Sequence, residues 1–238
     1  MKTAFLCLLY ELQSILSQYP KIFFPLLLLR PKNRNLIVRK QTEITIEGFP
    51  RSGNTFSVVA FQVAQQRPVV IARHTHAPAQ VINAVNLGIP VMVLIRKPVD
   101  AISSLLIRQP HMTISQGFRS YNRYYNRIMP YKNQYIVATF DEIISNYGNA
   151  IKRINQFFGC SFKTFVHTKE NIKKCFEVVE QMDKKDTGRR IVTEISVGRP
   201  SQEREKLKDN IKKEFEKKEI KNLIVKADII YNKFTELT

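Results

Sequence analysis

The stretch that decides the reading is Ile44-Thr-Ile-Glu-Gly-Phe-Pro-Arg-Ser-Gly-Asn-Thr-Phe56. Gly48 and Gly53 enclose four residues and Asn54-Thr55 follow, which is the spacing of a phosphate-binding loop, GxxxxG-K-[ST]. The lysine of that pattern is absent and an arginine, Arg51, stands three positions earlier. ITIEG reads as a short buried strand and Asn54–Gln66 as a helix, so the loop joins a strand end to a helix N-terminus. There, the amides of Ser52, Gly53, Asn54 and Thr55 are expected to face one concavity, with the Thr55 hydroxyl as a further donor. Gly53 lets an anion approach the backbone. Asn54 cannot supply charge at a γ-phosphate, and the strands at 69–72 and 91–95 carry no Asp or Glu to hold magnesium. An ATP-dependent kinase or ATPase is therefore disfavoured.

Working outward, the chain from Glu43 alternates strand and helix. Strands are expected at 68–72, 91–95 (VMVLI) and 135–140. Helices are expected at 79–86, from Pro98, over 115–129 and after Asp141, read as a cap. Five continuous aliphatic residues in VMVLI fit a central parallel strand covered on both faces. The fold class expected is α/β, a P-loop-like three-layer domain with a central parallel sheet and helices on both faces. Residues 1–42 form an N-terminal segment, either packed on the domain or lying at a membrane surface, and 43–238 the domain with its C-terminal helices.

Three motifs together resemble the sulfotransferase family, which uses 3′-phosphoadenosine 5′-phosphosulfate (PAPS). PRSGNTF (50–56) is similar to its PKSGTTW loop, IRKPVDAISS (95–104) to its 3′-phosphate motif, and HTHAP (74–78) to the KTHLP segment of its cytosolic members. The resemblance covers about Glu43 to Ile144, with weaker support from 188–201. It implies that Arg51, Ser52, Gly53, Asn54, Thr55 and Phe56 contact the donor, Phe56 by stacking on adenine, and that Phe140 occupies a neighbouring aromatic position. It implies that Arg96 and Ser104 hold the 3′-phosphate, with Arg199 or the pair Arg189-Arg190 in place of an absent RKG motif. Catalysis falls to His76 as general base and Arg51 as stabiliser of the bridging charge, with no metal. His74 replaces a lysine of the family pattern, so the choice between His74 and His76 stays open. Arg51 keeps the charge of the family's loop lysine but cannot donate a proton at neutral pH.

Composition sets the outer bounds. The 238 residues carry a formal charge of +18, and residues 1–162 hold 19 Lys/Arg against 6 Asp/Glu. Such a field gathers anions. The rival reading is a basic non-catalytic module for nucleic acid or anionic membrane, which explains the charge and the Arg119, Arg123, Arg127 spacing but not three ordered motifs; nucleic acid is the less favoured partner. Three scattered cysteines argue against a disulfide framework or zinc site and for the cytoplasm. Residues 4–40 hold an interrupted apolar segment and the cluster Arg30, Lys32, Arg34, Arg39, Lys40, which together suit peripheral membrane contact. The acceptor is left open among carbohydrate, lipid, small molecule and peptide, with the positive surface leaning towards an anionic one.

Overall fold

A computed structural model describes residues 2–187 and 202–236. Four strands, β1 (Ile44–Gly48), β2 (Ile71–Arg73), β3 (Val91–Ile95) and β4 (Ile136–Thr139), form one parallel sheet in the order β2-β1-β3-β4. Every residue of β1 and β3 is buried, as a strand between two helical layers requires. Side chains alternate across the sheet. Ile44, Ile46, Met92, Leu94, Ile136 and Ala138 enter one core. Val91, Val93, Ile95 and Val137 enter the other.

The first core is closed by α3 (Asn54–Ala64), α7 (Phe140–Phe158) and α8 (Lys169–Thr187). The second is closed by α4 (Pro78–Asn86), α5 (Pro98–Arg108), α6 (Ile114–Ile128) and α10 (Lys218–Thr235), while α9 (Gln202–Lys213) lies against α5. The chain is thus a three-layer α/β domain with a parallel sheet between two helical layers, as expected from the alternation of elements. Asp141 does not cap α7. The cap is Thr139, whose hydroxyl accepts from the Glu142 amide at 3.2 Å, and Phe140 already begins the helix.

Residues 1–42 contribute two helices, α1 (Lys2–Leu16) and α2 (Pro20–Leu28), and a short 3-10 turn (Pro31–Asn35). The helix α1 is docked by its polar groups. Tyr10 shares a hydrogen bond with Ser120, and Arg123 donates to Ser14 at 2.7 Å and to Glu11 at 2.5 Å. Arg127 donates to the Gln18 carbonyl. Two of the three arginines spaced along α6 therefore face α1 and the turn after it, and Arg119 is the exposed one. The interleaved Tyr121, Tyr124 and Tyr125 are buried.

Candidate active site

The loop after β1 is shaped by two glycines. A Cβ at Gly48 would come within 2.4 Å of the Leu94 carbonyl oxygen on β3, so no side chain fits where these strands meet. Gly53 takes φ +90° as the N-cap of α3, in the left-handed region. No side chain caps that end, and the first-turn amides have no carbonyl of their own helix to bond. They form an anion-accepting end on an eleven-residue helix.

Asn54 has a structural reason to stand where a P-loop has lysine. Its Nδ2 donates to the Phe49 carbonyl at 3.0 Å, tying the loop closed beneath the helix. Ser52 is likewise turned inward: its amide donates to Phe49 O at 3.2 Å, and its hydroxyl lies 3.4 Å from the Tyr125 hydroxyl. The Ser52 amide, expected to face the concavity, is thus spent inside the loop, and both side chains turn inward with it. Thr55 is half-buried.

Arg51, Arg96 and Ser104 meet above this loop. Arg51 Nε donates to Ser104 Oγ at 3.0 Å, and Arg96 Nη1 donates to the Arg51 carbonyl at 3.1 Å. The Arg96 guanidinium lies 3.8 Å over the Phe140 ring, which holds it by cation–π attraction. Burial pushes the Arg96 pKa down, with Asp100, Glu205 and Asp141 opposing this, so two guanidinium groups are gathered where an anion would be welcome. The end of β3 that carries Arg96 is clamped by α6: Tyr121 donates to Arg96 O and Tyr125 to Leu94 O, each at 2.8 Å. Phe56 is 7% exposed, within an aromatic group of Phe165, His167 and Phe176. Arg199, Arg189 and Arg190 lie outside the described residues.

The histidines sit at the end of β2. Among the described residues only three without glycine's freedom have positive φ, and all three belong to this site: Arg51 (+70°), His74 (+59°) and His76 (+50°). Such backbone costs on the order of 1 kcal/mol or more each and persists where surrounding contacts impose it. What imposes it on the histidine turn is Glu47, a wholly buried carboxylate on β1. Its Oε2 accepts from the Thr75 amide at 2.9 Å and hydroxyl at 2.8 Å, and its Oε1 from the amides of Gly48 and His76 at 3.2 Å each. Burial pushes the Glu47 pKa up, while His76, Thr75 and Gly48 pull it back.

The His76 ring has a fixed orientation. Its Nδ1 lies 3.0 Å from the Gly48 carbonyl and 3.6 Å from Glu47 Oε1. A carbonyl only accepts, so Nδ1 carries a hydrogen, and in the neutral ring the lone pair is at Nε2. His74 differs: desolvation, then His76 and Arg73, hold its pKa down to about 3, and its Nε2 is enclosed without a partner. His74 is therefore a poor proton acceptor near neutral pH.

Glu47 was missed by sequence reasoning, although a signal existed. An acid inside a strand whose other residues are all core must have dedicated donors. A cavity of about 180 Å³ opens beside the histidines, walled by α1, the loop after β1 and α6. Among the described residues no group of three or more His, Cys, Asp or Glu could hold a metal ion.

No family model matches the chain, and no curated protein does. Among solved structures, it is similar to mouse sulfotransferase SULT7A1 complexed with PAP, at 10% identity and a TM-score of 0.44, over 83% of this chain and 92% of that one.

Proposed function

We propose that the chain is a sulfotransferase moving a sulfuryl group from PAPS to a hydroxyl or amine acceptor. The observation that carries the reading is the meeting of Arg51, Arg96, Ser104 and the uncapped end of α3, beside a histidine whose Nδ1 is already committed to a carbonyl. In this mechanism the acceptor oxygen attacks sulfur in line, and its proton passes to His76 Nε2. The S–O bond of the phosphosulfate bridge breaks, and the leaving 3′,5′-bisphosphate takes the electron pair. Arg51 offsets that charge as it develops. Arg96 and Ser104 suit a doubly charged terminal phosphate through charge-assisted bonds, a group ATP lacks. Glu47 positions His76 without touching substrate.

Adenosine 3′,5′-bisphosphate at a hundredfold excess over its Kd is expected to stabilise the chain by about 2.7 kcal/mol, roughly 5–10 °C in Tm at this size. ATP with magnesium is expected to give no comparable shift, and Arg96→Ala to lose the bisphosphate response. A wild-type protein indifferent to saturating bisphosphate would sink the reading.

A second property rests on its own observation. Of 19 exposed large hydrophobic residues among those described, 11 fall between Phe5 and Leu29, on helices whose inward contacts include polar ones. Exposed Arg30, Arg34, Arg39 and Lys40 follow directly. No helix among the described residues is long and apolar enough to cross a membrane. The proposed role is peripheral contact with an anionic membrane surface from the cytoplasmic side, apolar side chains inserted and cations at the headgroups. The chain is expected to float with vesicles containing phosphatidylserine, and a Leu8→Glu, Leu12→Glu double variant to remain behind. Equal flotation of both would remove α1 as the contact.

A further inference from the structure

The cavity beside the histidines has its rim on the first helix. Of the described residues that line it, Gln13 on α1 is the one fully at the surface. Leu6 and Leu9, 39% and 44% exposed, stand seven and four positions before Gln13 and therefore on the same edge of α1. Phe5, Leu8 and Leu12 continue the apolar surface away from that edge. A contiguous exposed apolar patch marks a surface that is covered in use, and this one runs up to the rim of the cavity.

Charge around the patch indicates what covers it. In residues 1–42 the only acid is Glu11, and Arg123 holds it in an ion pair. Exposed Arg30, Arg34, Arg39 and Lys40 follow the apolar helices with no acid of their own segment to oppose them. A second copy of this chain, packed on the same face, would bring the same cations against them. An anionic bilayer accepts both the apolar side chains and the cations.

Depth and size then agree. A helix with its side chains is about 10 Å across, and an interfacial helix sinks roughly 5–10 Å into the headgroup boundary. A cavity on the inner side of α1 therefore lies at headgroup level, where lipid hydroxyls are found. Its volume of about 180 Å³ equals roughly six waters at about 30 Å³ each, far too little for a whole lipid and enough for its hydroxyl-bearing end. We propose that the acceptor is a membrane lipid whose hydroxyl-bearing end enters this cavity past Gln13, its chains staying in the bilayer along Leu6 and Leu9. The lipid oxygen bonds to sulfur, its proton passes to His76 Nε2, and the bridging oxygen departs with the bisphosphate. This rests on the sulfotransferase reading for the fate of the hydroxyl, but not for entry of the lipid.

The test uses the full chain, adenosine 3′,5′-bisphosphate and phosphatidylserine-containing vesicles doped with diacylglycerol or ceramide, each carrying a diazirine beside its hydroxyl. After photolysis, crosslinks are mapped by mass spectrometry. They are expected at Tyr10, Gln13, Ser14 or Ser17 and in the turn 74–78, and to fall about tenfold or more in vesicles of phosphatidylcholine alone. Gln13→Trp narrows the rim at an exposed position, so a folded variant is expected. It should float with vesicles as wild type does yet crosslink about tenfold less. With labelled PAPS, label is expected in the lipid phase and not on 2-naphthol. No crosslink at those residues from either lipid, crosslinking unchanged in Gln13→Trp, or transfer to 2-naphthol at the same rate with and without vesicles would overturn the proposal. A chain that stays off vesicles and runs as a dimer would give the apolar face to a second copy and overturn it too. Crosslinking at those residues in a chain indifferent to the bisphosphate would leave lipid entry standing and remove the sulfotransferase reading instead.

Discussion

Replacing His76 by alanine is expected to lower sulfate transfer by about 10²- to 10⁴-fold, the range that a positioned general base contributes. The bisphosphate should still raise Tm as in wild type, because the anion-binding groups belong to other elements. Arg51 and Arg96 follow β1 and β3, whereas His76 follows β2. His74→Ala is the control: its Nε2 is enclosed and its pKa is held near 3, so it is not expected to reproduce the loss. Single-turnover transfer to a responsive acceptor separates the two. If His74→Ala abolished the chemistry and His76→Ala left it near wild type, the assignment of the base would be reversed.

The second large effect is expected for Glu47→Gln. A glutamine has one oxygen where Glu47 has two, and both are in use. With the amide one way round, the Thr75 N–H loses its acceptor; the other way round, the Gly48 and His76 amides do. A buried donor left unsatisfied costs about 1–3 kcal/mol, and the positive φ values at His74 and His76 lose part of what holds them. We expect a lower Tm and a tenfold or larger fall in transfer with little change in bisphosphate binding. The pH dependence supplies an internal check. Because burial raises the folded-state pKa of Glu47, its contribution to stability is complete below the ordinary carboxylate range and is lost as pH rises through the raised value. The Tm gap between wild type and Glu47→Gln is therefore expected to be widest in acid and to narrow upward. A gap that widened with pH would contradict the raised pKa.

The fold was legible where burial is simple. ITIEG and VMVLI are β1 and β3 to the residue, because VMVLI is an unbroken aliphatic run that stops at Arg96 and ITIEG stops at the glycine that opens the loop. The edge strand was placed too early, at 68–72 rather than Ile71–Arg73. Val70 gives its amide to the Glu43 side chain instead of a ladder partner, and propensity cannot register that exchange. Motif spacing singled out Arg51 for the bridging charge and Arg96 with Ser104 for a 3′-phosphate; in the structure Ser104 accepts from Arg51, and Arg96 donates to the Arg51 carbonyl. The inward turn of Ser52 and Asn54 was not, since a loop sequence does not say which side chains its own carbonyls recruit. Of the cavity, only the histidine turn was legible in sequence. Its walls combine residues near 10–17, 49–50, 74–78, 109 and 120–124, and only the packing of α1 against α6 unites them.

That packing divides the first helix into two independent scripts. Tyr10, Ser14 and Ser17 border the cavity, whereas Phe5, Leu8, Leu12 and Ile15 look away from the domain. Substitutions at the inner positions would therefore reshape the cavity beside the histidines and leave the outward face as it is, while substitutions on the outward face would leave the cavity walls untouched.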